Sequence, residues 1–442
     1  MPAGDITQGY IFVPAEKNID APKMNAIVGQ ASINPVFVSG QTQASATAAG
    51  DYFLLYKANG TLAKILYDDL ASSLAAATGF QSQIWSTRLL SFNAIGNPNF
   101  EVDQKQCRTV LANPANGTFI CDRWSLNRVT TGTLTFSTIP TDSTALIPGT
   151  SIIASTYCLN VSLTAAQATL AAGDYCFLTQ LIEGPSLREL IGGPHSLKIL
   201  CQSSVAGLRF AVSLRDNGNT RSLVKLCTIP SANTWTLIEL PNLPVWGSGG
   251  SFPITPGNPG YSIAITLAAG TTFVASATDV WIAGNFIAAT GQANFLASPV
   301  GSTFRLLFVQ HEPGPQCTQL MDLDFDTNLR RCQRYYFKTY NYSSPAGSVQ
   351  GGGANATFLC IAATAAEGYG PFNGFMAKGP TVTVYNPLTG GANACADAWT
   401  GTALAISSVA NVNESSVGRL NAASGLTAGH NLKVHYTADT GW

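Results

Sequence analysis

Leu208-Arg209-Phe210-Ala211-Val212-Ser213-Leu214-Arg215-Asp216-Asn217-Gly218-Asn219-Thr220-Arg221-Ser222-Leu223-Val224-Lys225-Leu226-Cys227-Thr228 is the segment on which the fold turns. Two runs of alternating character flank Asn217-Gly218-Asn219, residues that favour a tight reversal between strands. A three-residue loop there sets Val212 against Val224 and Phe210 against Leu226, apolar on apolar. A two-residue loop at Asn217-Gly218 sets Phe210 against Lys225 instead. A slip of one residue inverts both faces of a strand, so the three-residue loop is expected. Arg209, Ser213, Lys225 and Cys227 then share the other side, which reads as mostly wet.

The same grammar runs outward from Phe92 to Pro313. Strand-like runs are Leu134–Phe136, Tyr175–Ile182, Leu208–Leu214, Ser222–Thr228, Trp235–Leu240, Tyr261–Leu267, Asp279–Ala283 and Phe304–Val309. Turn residues separate most of them by short gaps, the pattern of a sandwich or barrel. The period then changes. Leu329-Arg330-Arg331-Cys332-Gln333-Arg334-Tyr335-Tyr336-Phe337-Lys338 reads as a helix with Leu329, Cys332 and Tyr336 on one face. Gly351-Gly352-Gly353 opens a second β region, whose clearest strands are Thr381–Tyr385 and Leu432–Thr437, with Lys433 and His435 on the polar face.

Toward the N-terminus, Asp20 is placed to cap a short helix through Met24, Ile27, Val28 and Ala31. Ser39 to Gly50 reads as a loop or extended arm. Asn59-Gly60 predicts a two-residue hairpin with Tyr56 opposite Ala63, Leu54 opposite Ile65 and Tyr52 opposite Tyr67. Asp68 and Asp69 precede a helix through Leu70 and Leu74, with Phe80 and Ile84 continuing its stripe. Both hairpin faces are apolar, and so small a piece cannot bury two faces alone, so it is expected to dock.

Composition narrows the function classes. Of 442 residues, 46% are hydrophobic and 11% charged, against a usual charged share of about 25%. With net charge −1 and no Lys/Arg block, a nucleic-acid partner is not expected. No basic leader followed by an apolar run begins the chain, and no apolar stretch approaches the ~20 residues of a membrane span, so neither export by that route nor membrane insertion is expected. Such scarce charge has two explanations, a surface coated by Ser, Thr, Asn and Gln or one covered by other copies, and coverage by other copies is the expectation. Ten cysteines run from Cys107 to Cys395 without a C-x-x-C pair and read as buried thiols. A turn near Pro114 would set Cys107 opposite Cys121, and both are expected to stay reduced.

Chemistry is hard to find. The four histidines, His195, His311, His430 and His435, have no partner at metal-ligand spacing. Asp322, Asp324 and Asp326 mimic the opening of an EF-hand loop, but Thr327 and Gln333 stand where Gly and Glu are required; the triplet reads as an acidic lead-in to the helix or a solvated strand face. Glu101, Asp103, Glu183, Glu189 and Glu312 could form a glycosidase pair only through tertiary structure. No catalytic residue, cofactor or metal site is therefore expected. Trp246 and Tyr261, flanking the Gly- and Pro-rich loop Gly247–Gly260, are the best-placed aromatics for stacking on a sugar, with plain packing the alternative. Trp124, Trp235 and Trp281 sit in strand patterns and are expected in the core.

Several motifs recur in a fixed order: Asn97-Pro98-Asn99-Phe100-Glu101-Val102-Asp103-Gln104, Asp122-Arg123-Trp124, Gln180-Leu181-Ile182-Glu183-Gly184, Ser213-Leu214-Arg215-Asp216, Trp281-Ile282-Ala283-Gly284-Asn285-Phe286, Val309-Gln310-His311-Glu312-Pro313-Gly314 and the Arg-rich helix. Over roughly Asn97 to Tyr340 the chain resembles a phage tail-fibre or minor virion structural family with a jelly-roll similar to carbohydrate-binding modules. Gly60 to Ile65 with Asp68-Asp69-Leu70 likewise resembles a fibre attachment segment. In modules of this kind the Glu of Asn-Pro-Asn-Phe-Glu can help hold a structural calcium. Here Val309-Gln310-His311 replaces the second acidic set, so no metal is expected.

The resemblance implies a mainly β chain in four parts: an attachment and oligomerisation segment with short helices and a hairpin (1–90), a jelly-roll β-sandwich (91–320), a connecting helix (321–345) and a C-terminal β-sandwich-like tip domain (346–442). It implies a virion component assembled in the bacterial cytoplasm, a tail fibre or appendage, and the scarce charge with the doubly apolar hairpin predicts a homotrimer. Its N-terminal segment would hold other tail or capsid proteins, and its β domains would touch host-surface glycan. A head fibre or capsid decoration protein is the nearest alternative. A polysaccharide-degrading enzyme with accessory β domains and a free lectin-like module are the rivals from other classes.

Overall fold

A computed structural model describes residues 52–56, 62–66, 92–142, 144–146, 154–246, 249–350 and 356–442. The chain divides into two units at Arg88/Leu89. In the first, Tyr52–Tyr56 and Leu62–Leu66 form an antiparallel hairpin. Tyr56 pairs with Leu62 and Phe53 with Ile65, one residue from the expected register, with five residues between the paired ends. The expected helices after Asp20 and Asp69 and the Ser39–Gly50 arm lie outside the described residues.

The second unit is mainly β and begins with a two-sheet sandwich, as expected. One sheet has seven strands in the order Trp281–Ala283, Arg221–Ile229, Leu208–Asp216, Pro259–Ala269, Tyr175–Glu183, Trp124–Val129 and Phe119–Cys121. The other has six: Thr236–Leu243, His195–Ser203, Thr303–Pro313, Tyr157–Ala165, Thr133–Pro140 and Leu111–Ala112. Every pairing within these two sheets is antiparallel. Alternate side chains from both sheets fill the space between them, among them Phe136, Val161, Ile199, Phe210, Ile263 and Phe304.

Each central strand run read from the sequence has its strand, those expected from Trp235 and Asp279 starting later, at Thr236 and Trp281, but the decisive hairpin is registered differently. Phe210 pairs with Cys227, Ser213 with Val224 and Leu214 with Leu223. The Asp216 carboxylate causes this. It accepts from the backbone N–H groups of Thr220 (2.6 Å), Arg221 (2.9 Å) and Ser251 (2.8 Å), closing a longer loop in which Asn219 takes a left-handed φ of 53°. Leu223 and Cys227 therefore face the inner core. Ala211, Val224 and Leu226 face a second apolar layer made by Ala275, Ala289, Ile282 and Phe286. The side expected to be wet is covered, so apolar facing could not discriminate between registers.

The Asn97–Asp103 motif is a staple. The Asn97 side chain donates to Val102 O (2.7 Å) and Asp122 O (3.0 Å) and accepts from Val102 N (3.0 Å). Asn97 and Phe100 adopt left-handed φ values of 51° and 57°, a conformation tolerated where surrounding contacts over-determine it. Phe100 packs on fully buried Trp124, whose indole N–H donates to Asn97 O.

The helix spans Phe325–Gln333, four residues earlier than expected, because the Asp324 carboxylate caps it by accepting from Thr327 N at 3.0 Å. It ends before Tyr336–Lys338, which forms a strand against the last strand, Asn431–Asp439. That last strand is the spine of a nine-stranded C-terminal sheet. One end pairs with Ala356–Ala362 and Ala394–Asp397, the other with Tyr336–Lys338 and Thr381–Tyr385. His435, expected on a polar face, is buried and stacks on Tyr340 at 4.2 Å, because the sheet is covered on both sides there. Cys107 and Cys121 are not strand partners. Cys107 sits in a turn beside Lys338, whereas Cys121 pairs across to Trp124, and all ten cysteines are free.

Candidate functional site

The sequence pointed to Trp246 and Tyr261, and the fold does bring them together, but inside the protein. Trp246 is 8% exposed and Tyr261 0%. The Trp246 indole lies 5.0 Å from both Tyr261 and His195, 5.1 Å from Trp281 and 5.2 Å from Phe252. An aromatic buried on all sides has no free face for a sugar, and the packing alternative describes both residues. The same cluster holds a histidine pair that the sequence reading missed, since 116 residues separate its members. His195 and His311 come from adjacent strands of the six-stranded sheet, and burial pushes both imidazoles down, His195 to about 4.

A more accessible site lies where the sandwich meets the C-terminal sheet: a cleft of about 640 Å³. One wall is built by register. Pairing of Thr381 and Tyr336 with Asp439, and of Thr383 with Thr437, places these side chains on one face of a three-stranded ribbon. Tyr385 continues the row. The other wall is Lys105, Gln106 and Gly117–Phe119 from the sandwich.

Lys105 crosses between the walls. Its Nζ donates to Asp439 Oδ2 at 2.8 Å and lies 3.4 Å from the Phe119 ring centroid. Burial lowers its pKa, and Asp439 opposes that shift. The turn that presents it is held by the motifs noted in the sequence. Asp122 accepts from the backbone of Gln104 (2.5 Å) and Lys105 (3.1 Å) and from the Gln104 side chain (2.9 Å). Asp103 accepts from Gln106 N (3.0 Å) and Arg108 N (2.8 Å), holding Cys107 and Arg108 at left-handed φ values of 51° and 62°. Burial, reinforced by neighbouring Asp103, pushes Asp122 up to about 6. Below the cleft, Lys338 Nζ donates to Gln104 O (2.9 Å), Tyr342 O (2.7 Å) and Ser344 O (2.9 Å), clamping turn and sheet together.

The lining is chemically mild. Thr118, Thr381 and Thr383 bring hydroxyls, the half-buried Phe119 and Tyr385 bring aromatic rings, Tyr336, Thr437 and Thr440 line the floor as buried side chains, and Asp439 is the carboxylate among the described lining residues. Such a surface offers neutral donors and acceptors beside flat apolar faces, the complement of a polyhydroxylated ring. Of the carboxylates weighed for a glycosidase pair, Glu183 is bound to Arg334 and Tyr335, Glu312 to Thr318, and Asp103 to the turn.

No family model and no curated protein matches the chain. Among solved structures, it is similar to the module TmCBM61 in complex with β-1,4-galactotriose (13% identity, 50% of this chain and 99% of that one, TM-score 0.27). It is also similar to a family 11 carbohydrate-binding module from Clostridium thermocellum (11% identity, 44% and 91%, TM-score 0.24). A third is the enzymatically active domain of bacteriophage CBA120 tailspike protein 4 (15% identity, 46% and 21%, TM-score 0.24).

Proposed function

We propose that this chain is a non-enzymatic structural component of a phage virion, a trimeric tail fibre or appendage attached through residues 1–90, whose β domains contact host-surface glycan. The observation that carries the glycan part is the cleft, with the threonine hydroxyls of Thr118, Thr381 and Thr383 set beside Phe119 and Tyr385 and braced by the Lys105–Asp439 pair. The virion part rests on the ordered sequence motifs. Those motifs build the Asn97 staple and the Asp122-held turn that forms one wall of the cleft.

The test is calorimetric titration of the intact protein with polysaccharide isolated from the host envelope. Thr381→Val with Thr383→Val removes two hydroxyls while keeping side-chain shape. About tenfold weaker binding is expected, from two lost hydrogen bonds of ~0.5–1.5 kcal/mol each. Unchanged binding by a folded double variant overturns the cleft as the site. Antibody labelling of particles tests attachment, and label absent from purified virions overturns that half. Chain-shortening of the polysaccharide would favour the enzyme alternative.

A further inference from the structure

We infer that Trp399, on a loop of the C-terminal sheet, is a second saccharide-stacking platform, distinct from the cleft and assigned to the same ligand class on the strength of that reading. Trp399 is 71% exposed, far more than any other tryptophan described, yet it is not loose. One ring face stacks on the His430 imidazole, with centroids 4.7 Å apart and planes inclined by 23°. His430 Nδ1 meets Asp397 Oδ2 at 2.7 Å. The other oxygen of the same carboxylate accepts from Trp399 N (2.8 Å) and Thr400 N (3.1 Å).

Asp397 thus fixes both the loop that carries the indole and the imidazole behind it. The brace is tied to the sheet at both ends: Ala398 N donates to Asn431 O (2.8 Å), and Cys360 N donates to His430 O (2.8 Å). Holding a large apolar ring still in water, with its outer face open, costs entropy and gains no burial of that face. The arrangement makes sense when a ligand covers it, because the ordering is then already done before binding.

The surroundings select the ligand. Thr400 and Thr402, whose hydroxyls lie 2.9 Å apart, follow Trp399 on the same exposed turn. Asp397, the carboxylate beneath it, is buried and already committed to His430 and the loop. A ring that needs one apolar face and hydroxyl partners at its rim is a neutral pyranose; a charged ligand would find no free counter-charge in this brace.

The experiment is tryptophan-fluorescence titration of the full chain with β-1,4-galactotriose, cellotetraose and maltotriose, alongside light scattering. A shift in emission with at least one sugar is expected, with affinity about tenfold weaker in Trp399→Ala, partly restored in Trp399→Phe, and weakened in His430→Ala, which keeps the indole but removes its brace. The Thr381/Thr383 double variant should keep the Trp399-dependent shift. No response to any sugar, or Trp399→Ala binding like the parent, overturns the platform. Loss of self-association in Trp399→Ala with sugar response intact also overturns it, marking a contact between copies instead. If only the threonine variant loses binding, the cleft stands and the platform falls; the reverse result does the opposite.

Discussion

His195 Nδ1 and His311 Nε2 lie 2.9 Å apart in the sealed interior of the sandwich. Pro244 O, 3.2 Å from His195 Nε2, can only accept, so that nitrogen carries the proton and His195 Nδ1 accepts from His311. His311 Nδ1 in turn accepts from the Tyr261 hydroxyl at 2.6 Å. The chain Tyr261, His311, His195, Pro244 is satisfied throughout only when both imidazoles are neutral.

Acid should therefore destabilise the protein through this pair. Both folded-state pKa values are depressed, mainly by burial, His195 to about 4. As pH falls from about 6.5 toward 4 the unfolded chain takes up protons that the native state refuses, at ~1.4 kcal/mol per pH unit per histidine. Asp122 works the other way. Its folded pKa is raised to about 6, so it favours the native state as pH falls from 6 toward 3.8, offsetting one histidine. Urea unfolding at pH 7 and pH 5 should show net loss at the lower pH, and His311→Gln should reduce the slope while lowering stability at pH 7.

Glu183 and Arg334 couple the sandwich to the C-terminal sheet. The guanidinium donates Nε to Oε2 (2.8 Å) and Nη2 to Oε1 (2.6 Å), while Tyr335 and Gly257 also donate to the carboxylate. Arg334→Ala should cost about 2–3 kcal/mol, less than for a fully buried pair because the arginine side chain is about one-third exposed. Burial opposes ionisation of Glu183, but Arg334, Gly257 and Tyr335 overcome it and hold the carboxyl below its usual range. That stabilisation is present above pH ~4.5 and lost as pH falls through the lowered value. Acid unfolding curves of parent and variant should converge once the pH has fallen below that lowered value.

Trp246→Ala should cost about 3–5 kcal/mol, the usual price of emptying a large core site. Its effect on polysaccharide binding should be small once folding is restored by lower temperature. A folded variant that loses binding would return Trp246 to the role first suggested by its place beside a Gly- and Pro-rich loop.

Gly184→Ala should also destabilise strongly. A Cβ there would sit 2.6 Å from Thr255 O and 2.7 Å from both Ile254 C and Pro253 O, all backbone atoms that cannot rotate away. Overpacking of this kind costs ~1–3 kcal/mol, readable as a lower midpoint in chemical denaturation.

Strand positions were legible because a period of two needs only neighbouring residues. Tyr175–Ile182, Leu208–Leu214 and Thr381–Tyr385 all fall within observed strands. Register was less so. The choice between pairings of Phe210 depended on which face met water, and the outer layer containing Ala275 and Ala289 comes from elsewhere in the chain. The apolar stripe of the helix runs on through Tyr336 in the sequence, whereas the helix begins at the Asp324 cap and the last strand recruits Tyr336–Lys338.

The candidate site was largely illegible. Lys105 and Asp439 are 334 residues apart, and nothing local marks either as a partner of the other.

By itself the order of residues determined an antiparallel β protein poor in charge, because alternation and turn chemistry are short-range properties of the backbone. Only the tertiary structure decided which aromatics are sealed, like Trp246, and which stay open, like Trp399. It also decided which carboxylates are already spoken for. Burial and pairing are set by distant segments that pack together, and no local pattern encodes who those neighbours will be.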